Sequence, residues 1–479
     1  VGSGDTVALL LRNDVELFEA VMASSALGAS PVPINWHGSA EEVAYVLTDS
    51  RARVLVGHAD LLRGVAAAVP ASVHVLGVRT PADIARGYGV SADESMLADG
   101  VTEWGPWRDG FAPGDADVSA DAGTILYTSG TTGHPKGVRR IPGTRGETDA
   151  GAYTMDVLRY FGLWPTMRTV IAGPMYHSAP YAYAMAAARY GADLIVLQDR
   201  FDAEGLLALV ERHRIDSLYL VPTMFVRLLR LGDDVRARYD LSSLRQVSHT
   251  AAPCPPAVKR ALIEWLGPIV TEFYGSTEVG LVTGCDSAEW LAHPGSVGHR
   301  LASCEVRVLT DEGEAGVGEV GQVFVRAHAA SDFTYEGRAD DRAAIERDGL
   351  VTCGDVGYFD ADGYLYLCDR VRDMIISGGV NIYPVEVEAC LLTLAGVADV
   401  AVFGVPDDEF GESVAAAVQL DAGATLSAED VRAHVRAHLA HFKAPKVVAF
   451  HDELPREDTG KIFKRKLRAP YWEGAGRTI

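Results

Sequence analysis

Short apolar runs alternate with amphipathic stretches along the first four-fifths of the chain. Val7–Leu11 reads as a strand, Glu16–Leu27 as a helix and Val54–Val56 as a second strand. The unit is clearest at Phe201–Pro222, where Asp202 can cap a helix carrying Leu206, Leu209 and Val210, and the strand Leu218–Val221 follows. Strands that alternate with helices predict largely parallel α/β layers. Near Ser296–Arg326 the apolar period shortens to two around the turn at Asp311-Glu-Gly, which predicts a small antiparallel β unit.

A dense run of charge, Asp369-Arg-Val-Arg-Asp373, separates this region from about a hundred residues with their own pattern. There Pro384 suits the first turn of a helix with Val387, Leu391 and Leu394 on one face, and Ser427 with Asp430 suits a capping box before Val431 and Val435. The expected organisation is a large N-terminal α/β domain (1–368) of layered subdomains plus the antiparallel unit. A hinge (369–373) and a small mobile α+β C-terminal domain (374–479) follow.

The balance of 43 basic and 65 acidic residues, −22 in net charge, disfavours nucleic acid and anionic membranes. It leaves room for an anionic ligand held by local amides and a few cations. Cys254, Cys285, Cys304, Cys353, Cys368 and Cys390 form no C-x-x-C pair, so reduced thiols in a cytoplasm are expected. No apolar run is long enough to span a bilayer. The start, Val1-Gly-Ser-Gly-Asp, lacks Met and runs straight into an apolar stretch, so a native N-terminal segment is expected to be missing.

The strongest chemical signal is Tyr127-Thr-Ser-Gly-Thr-Thr-Gly-His-Pro-Lys136-Gly137, expected to follow a strand at Thr124–Leu126. Its glycines free the backbone to wrap a ligand, its hydroxyls and amides can donate to phosphate oxygens, and Lys136 adds a point charge. It is not a Walker loop, because Pro135 precedes Lys136 and Gly137 follows it.

This stretch resembles the first signature of the adenylate-forming superfamily, which includes acyl-CoA synthetases, aryl-CoA ligases, luciferases and peptide-synthetase adenylation domains. The resemblance recurs in order along almost the whole chain. It implies that Thr128, Ser129, Gly130, Thr131, Thr132, Gly133 and Lys136 hold the ATP phosphates. Tyr274-Gly275-Ser276-Thr277-Glu278 resembles the second core motif: the Tyr on adenine, the Thr at the α-phosphate, the Glu on Mg²⁺. Thr352-Cys-Gly-Asp355 resembles the family's T-G-D segment with Cys353 inserted, so Asp355 would accept from the ribose hydroxyls. Arg370 would reach ribose or phosphate, and Arg372 takes the pivot position, where the family usually has Asp or Lys.

Leu454-Pro-Arg-Glu-Asp-Thr-Gly-Lys461 resembles the last signature, with Lys461 as the catalytic lysine. Ala251, Ala252 and Pro253 stand where the family has a small-residue turn walling adenine and acid. Pro174-Met-Tyr-His177 stands where a gating aromatic or His lies beside the acid. Ser377, Gly378 and Gly379 resemble the loop lining the pantetheine tunnel. Phe442 and Lys446 would touch the CoA nucleotide, and Ala444 stands where some relatives carry Arg.

The resemblance therefore implies an AMP-forming acid–CoA ligase. ATP with Mg²⁺ would convert a carboxylic acid to its acyl-adenylate and pyrophosphate. The small domain would then turn about Arg372, and the thiol of coenzyme A would displace AMP. No Asp opens the segment Met175-Tyr-His-Ser, which argues against an amino acid. The pocket candidates His177, Tyr181, Tyr183, Ala251, Gly280 and Leu281 suit a fatty or otherwise bulky apolar acid, with aryl and steroid acids as alternatives. A luciferase-like or carrier-loading enzyme would share every nucleotide motif and use another acceptor; an inactive nucleotide-binding regulator would lack the need for both Glu278 and Lys461. A homodimer is compatible with this reading.

Overall fold

The computed structural model describes residues 1–112, 123–128, 135–141, 150–370, 373–456 and 462–473. Two parallel sheets carry the large unit. The first has the order Ser30–Pro33, Thr6–Leu10, Val54–His58, His74–Val78, Thr102–Glu103, parallel throughout. The second runs His299–Arg300, Gly280–Cys285, Val270–Ser276, Gln246–His249, Ser217–Leu220, Arg168–Ile171, Leu194–Leu197. Its strands are parallel from Leu194–Leu197 to Val270–Ser276 and turn antiparallel at the hairpin to Gly280–Cys285. Central strands such as Thr6–Leu10 and Ser217–Leu220 are buried along their whole length, as such layers require.

The expected helix signals hold: Asp202 accepts from Gly205 N–H, Pro384 opens Pro384–Leu391, and Ser427 and Asp430 form the capping box of Ala428–His438. The period-two region is the hairpin Cys304–Leu309/Gly321–Ala327, part of an antiparallel sheet with Asp355–Phe359 and Leu365–Arg370.

Three expectations shift. The strand near residue 125 is Leu126–Thr128, not Thr124–Leu126, because Thr128 pairs with Lys136 across an antiparallel ladder. Asp369 and Arg370 end a strand instead of opening a linker, since Asp355 faces Arg370 in register. The glycine segment near 378 is the turn of a hairpin, Ile375–Ser377 with Val380–Ile382.

One apolar core runs from Val7 and Leu9 through Val170, Leu218 and Val282 to Val306 and Val323, joining the first, second and antiparallel sheets. A second core under the first sheet gathers Ala8, Val32 and Leu55. The cores around Ile375, Val402 and Val431, and around Phe403 and Leu467, draw their buried residues from the C-terminal part alone. No described helix is long and apolar enough to cross a membrane.

Candidate functional site

The parallel strands of the second sheet end together at their carboxyl edge, next to the strand that reverses direction. Open α/β sheets bind ligands at this kind of switch point. The edge carries His249 with Ala251 beyond it, Tyr274 on the last parallel strand, and the turn Thr277–Val279 before Gly280. Gly275 is required there, because an added Cβ would lie 2.0 Å from the Gly280 carbonyl oxygen. Gly280 itself has φ +77°, and its Cβ would meet the Tyr153 hydroxyl at 2.5 Å.

Two carboxylates define the polar side. Asp355 is buried and accepts from Tyr274 Oη at 2.7 Å and from Arg370 Nε at 3.0 Å. Arg370 is its cross-strand partner, so the ion pair follows from sheet register. Burial beside Asp355 pushes the Tyr274 hydroxyl far above its ordinary pKa, so it stays a donor. Glu278 accepts from Tyr335 Oη at 3.1 Å, and Cys353 Sγ approaches its other oxygen at 3.8 Å. Burial and the neighbouring Glu278 carboxylate raise the Cys353 thiol well above its usual range, keeping it neutral. Among the described residues Glu278 makes no ion pair. A carboxylate whose described side-chain hydrogen-bond donors are neutral, Tyr335 and Cys353, fits a hard cation such as Mg²⁺, whose preferred ligands are carboxylate oxygens.

Arg140 holds this turn from below. Its guanidinium donates to the Thr277 carbonyl at 2.9 Å, the Glu278 carbonyl at 2.5 Å and the Ser331 carbonyl at 3.1 Å. Thr277 Oγ1 donates to Ser178 Oγ at 3.0 Å, which ties the turn to the helix Ser178–Arg189, whose cap residue is His177. Asn13 clamps the segment before His177: its amide donates to the Gly173 carbonyl and accepts from Met175 N–H, both at 2.9 Å. Asn13, Trp36, Pro174, Arg227 and Arg456 line a cleft of about 400 Å³ between the large unit and residues 453–456.

The structure thus brings together Tyr274, Gly275, Ser276, Thr277, Glu278, Asp355 and Arg370, with His177 linked through Ser178. Lys136 Nζ pairs with Asp341 at 2.8 Å and lies over the Tyr335 ring, so its charge already has a partner. Tyr181 and Leu281 are buried in the main core, with Tyr181 Oη bonded to Thr124 Oγ1. Tyr183 is buried and bonds Thr169 and Ser217 inside that core. Ala251 adopts φ +80°, the left-handed region that costs a residue with Cβ about 1–2 kcal/mol.

In the C-terminal unit Gly378 and Gly379 form the two-residue hairpin turn, both at positive φ, as the turn type demands. Lys446 Nζ bonds Asp407 at 2.7 Å and lies over Phe410, whose carbonyl accepts from Gly378 N–H. Phe442 is exposed nearby in sequence. Ser129, Gly130, Thr131, Thr132, Gly133, Arg372 and Lys461 lie outside the described residues.

Sequence reasoning missed Arg140, Asn13, Tyr153 and Tyr335. The Arg139-Arg140 pair two residues after Gly137 was a signal for a buried cation near the phosphate loop; Asn13 in a loop, Tyr153 in a helix and Tyr335 in a strand stand in ordinary patterns and carry none.

Residues 1–331 match the family described as AMP-binding enzyme, and residues 386–461 match the AMP-binding enzyme C-terminal domain. The chain is 31% identical to the long-chain-fatty-acid–CoA ligase FadD13 of Mycobacterium tuberculosis, over 98% of this chain and 89% of that protein. It is 35% identical, over the same shares, to a methyl-dioxo-octahydroindenyl propanoyl:CoA ligase of that bacterium. Among solved structures it resembles the amide bond synthetase McbA of Marinactinospora thermotolerans. There the TM-score is 0.82 at 26% identity, covering 98% of this chain and 90% of that one.

Proposed function

This chain belongs to the AMP-binding enzyme family, and we propose that it is an AMP-forming acid–CoA ligase for a bulky, largely apolar carboxylic acid. The observation that carries the reading is the buried Tyr274–Asp355–Arg370 network beside the Glu278 turn, at the carboxyl edge of the parallel sheet. A buried carboxylate with two fixed donors and spare lone pairs suits a vicinal diol, and the adjoining ring suits a base face.

In the first half-reaction the acid's carboxylate oxygen attacks the α-phosphorus of ATP and the bond to pyrophosphate breaks. AMP is then a good leaving group where hydroxide is not. The protein's part is positioning and charge stabilisation. Asp355 and Arg370 hold the ribose, Tyr274 and the Ala251–Pro253 turn hold adenine, and Thr128, Ser129, Thr131 and Thr277 donate to phosphate. Lys136 joins them by exchanging Asp341 for a phosphate oxygen. Gly130, Thr132, Gly133, Gly275 and Ser276 supply backbone. Mg²⁺, held by Glu278, would neutralise phosphate charge. Lys461 meets the charge at the α-phosphate and the acyl oxygen. His177, Ala251 and Gly280 border the acid, with the buried Tyr181 and Leu281 packed in the core.

In the second half-reaction residues 374–479 turn about a hinge at 369–373, pivoting at Arg372 on the unit 1–368. The Ser377–Gly379 turn replaces Lys461, Phe442 and Lys446 meet the CoA nucleotide, and the thiol attacks the acyl carbonyl as AMP leaves. Short hinges of this kind serve such motion. The acids after which the two CoA-ligase relatives are named, a long-chain fatty acid and a fused-ring propanoate, support a bulky acid.

The test is pyrophosphate release over a panel of acids with and without CoA, with Lys461→Ala as control. CoA-dependent turnover of one acid class is expected, and no pyrophosphate with any acid would sink the reading. The likeness to McbA favours one second reading, an amine as acceptor. Amide product formed with amines in place of CoA would select it.

A further inference from the structure

Away from the crevice, three chemically distinctive side chains meet on the small C-terminal unit. The helices Pro384–Leu391 and Ala428–His438 pack through Val387, Leu391, Val431 and Val435. Cys390 stands one residue before Leu391. His434 and His438 are four apart on one helix, hence on one face. One ligand atom from each of Cys390, His434 and His438 lies within 4.8 Å of the others.

The hydrogen bonds already select the tautomers. A carbonyl oxygen can only accept, so His438 donates Nδ1–H to the His434 carbonyl at 2.8 Å, which leaves the lone pair on Nε2. His434 likewise donates Nε2–H to the Cys390 carbonyl at 3.1 Å, which leaves its lone pair on Nδ1. The Thr393 hydroxyl donates to the same carbonyl at 2.7 Å and lies 3.0 Å from His434 Nε2. Metal-binding histidines usually have the non-ligating nitrogen anchored to a carbonyl or carboxylate in this way.

We infer that Cys390, His434 and His438 form a site for one divalent transition-metal ion, zinc before others. One thiolate and two neutral imidazoles are borderline-soft donors, which suit zinc and not magnesium. Three protein ligands leave a fourth position for water. Zinc bonds of about 2.0–2.3 Å bring tetrahedral ligand atoms to within about 4 Å of one another. Small shifts of the half-buried Cys390 and His434 and the exposed His438, with both carbonyl bonds kept, close the remaining gap. Binding as thiolate releases the Sγ proton to solvent.

The ion would cross-link the helix that starts just after the Gly378–Gly379 hairpin to the helix Ala428–His438, and so stiffen the base of that hairpin. This site is independent of the proposed ligase chemistry. A second cluster of potential ligands among the described residues, His293 with Asp360 and Asp362, differs in kind: His293 is bonded to Asp360 at 3.0 Å and stacked on Tyr364, and it offers no sulfur.

The test is titration of the full chain, purified with chelator and kept reduced, with Co²⁺ alone. The expected result is one equivalent bound with a Kd below about 100 μM. It should give near-ultraviolet thiolate-to-cobalt absorption that zinc abolishes by displacement. Cys390→Ser should remove that absorption. His438→Ala, at an exposed position, should weaken binding at least about tenfold. A wild-type Kd above about 100 μM overturns the site. So does absorption that persists in Cys390→Ser, or an affinity that His438→Ala leaves unchanged.

Discussion

The crevice of the large unit and the hairpin face of the small unit are built to opposite plans. In the crevice several polar groups are held by another element. Asp355 faces Arg370 by sheet register, Tyr274 reaches Asp355 from a different sheet, and Arg140 grips the turn carbonyls of Thr277 and Glu278. On the small unit Gly378, Gly379 and Phe442 are exposed, and Lys446 is tied through surface contacts. A buried network fixes positions to fractions of an ångström because every alternative leaves a polar group unpaired. Exposed turns cost little to displace. The contrast fits the proposed division between a fixed template and an adaptor that turns against it.

Under the template lies a further buried pair, Lys259 with Glu272, both almost inaccessible, with His249 3.6 Å from the same carboxylate. Breaking it tests the rigid half most severely. Lys259→Met leaves a buried carboxylate uncompensated and should cost about 3–5 kcal/mol in chemical denaturation. Adding Glu272→Gln should recover a good part, and a double variant no better than the single would refute the account.

Asp355→Ala should lower ATP–pyrophosphate exchange at least about a hundredfold, close to 3 kcal/mol, while circular dichroism stays native. Unchanged exchange would remove Asp355 from the site.

Asp369, at the junction of the two units, sharpens the comparison through pH. Burial pushes its carboxyl up to about 6, although Lys464 and the Arg370 and Val385 amides favour the charged form. A folded pKa above the unfolded one means that its stabilising share is complete below about pH 4 and is lost as pH rises through about 6. The Tm of Asp369→Asn minus that of the wild type should therefore grow more positive from pH 5 to pH 8, by a few degrees. A flat difference would contradict it.

Ala251→Gly relieves a left-handed backbone, and the variant should be more stable by up to about 1 kcal/mol, net of glycine's extra unfolded-state freedom. Smallest in stability is Lys446→Ala on the exposed face, expected within about 0.5 kcal/mol. Its signature should be a several-fold higher KM for CoA with adenylation untouched, and a slowed first half-reaction would break the division between the units.

Much of this was readable along the chain. The strand–helix alternation announced parallel layers, and Asp202, Pro384 and Ser427 marked helix starts because caps are local. Tyr274–Glu278 and Asp355 stood out as motif segments. Arg140, Asn13 and Tyr153 did not, since their roles depend on partners more than a hundred residues away. Tyr181 and Tyr183 look alike two residues apart in one helix, yet their hydroxyls are engaged in the core, which only packing reveals.

Sequence alone determined what local chemistry dictates: element type from period, helix ends from caps, and a glycine and hydroxyl-rich segment suited to phosphate. Tertiary structure decided which acids share a site, that Lys136 has Asp341 as its resting partner, and that Cys390 meets two histidines. Those facts arise from register and helix packing, where distances between remote residues are set by the whole core and not by neighbours in the chain.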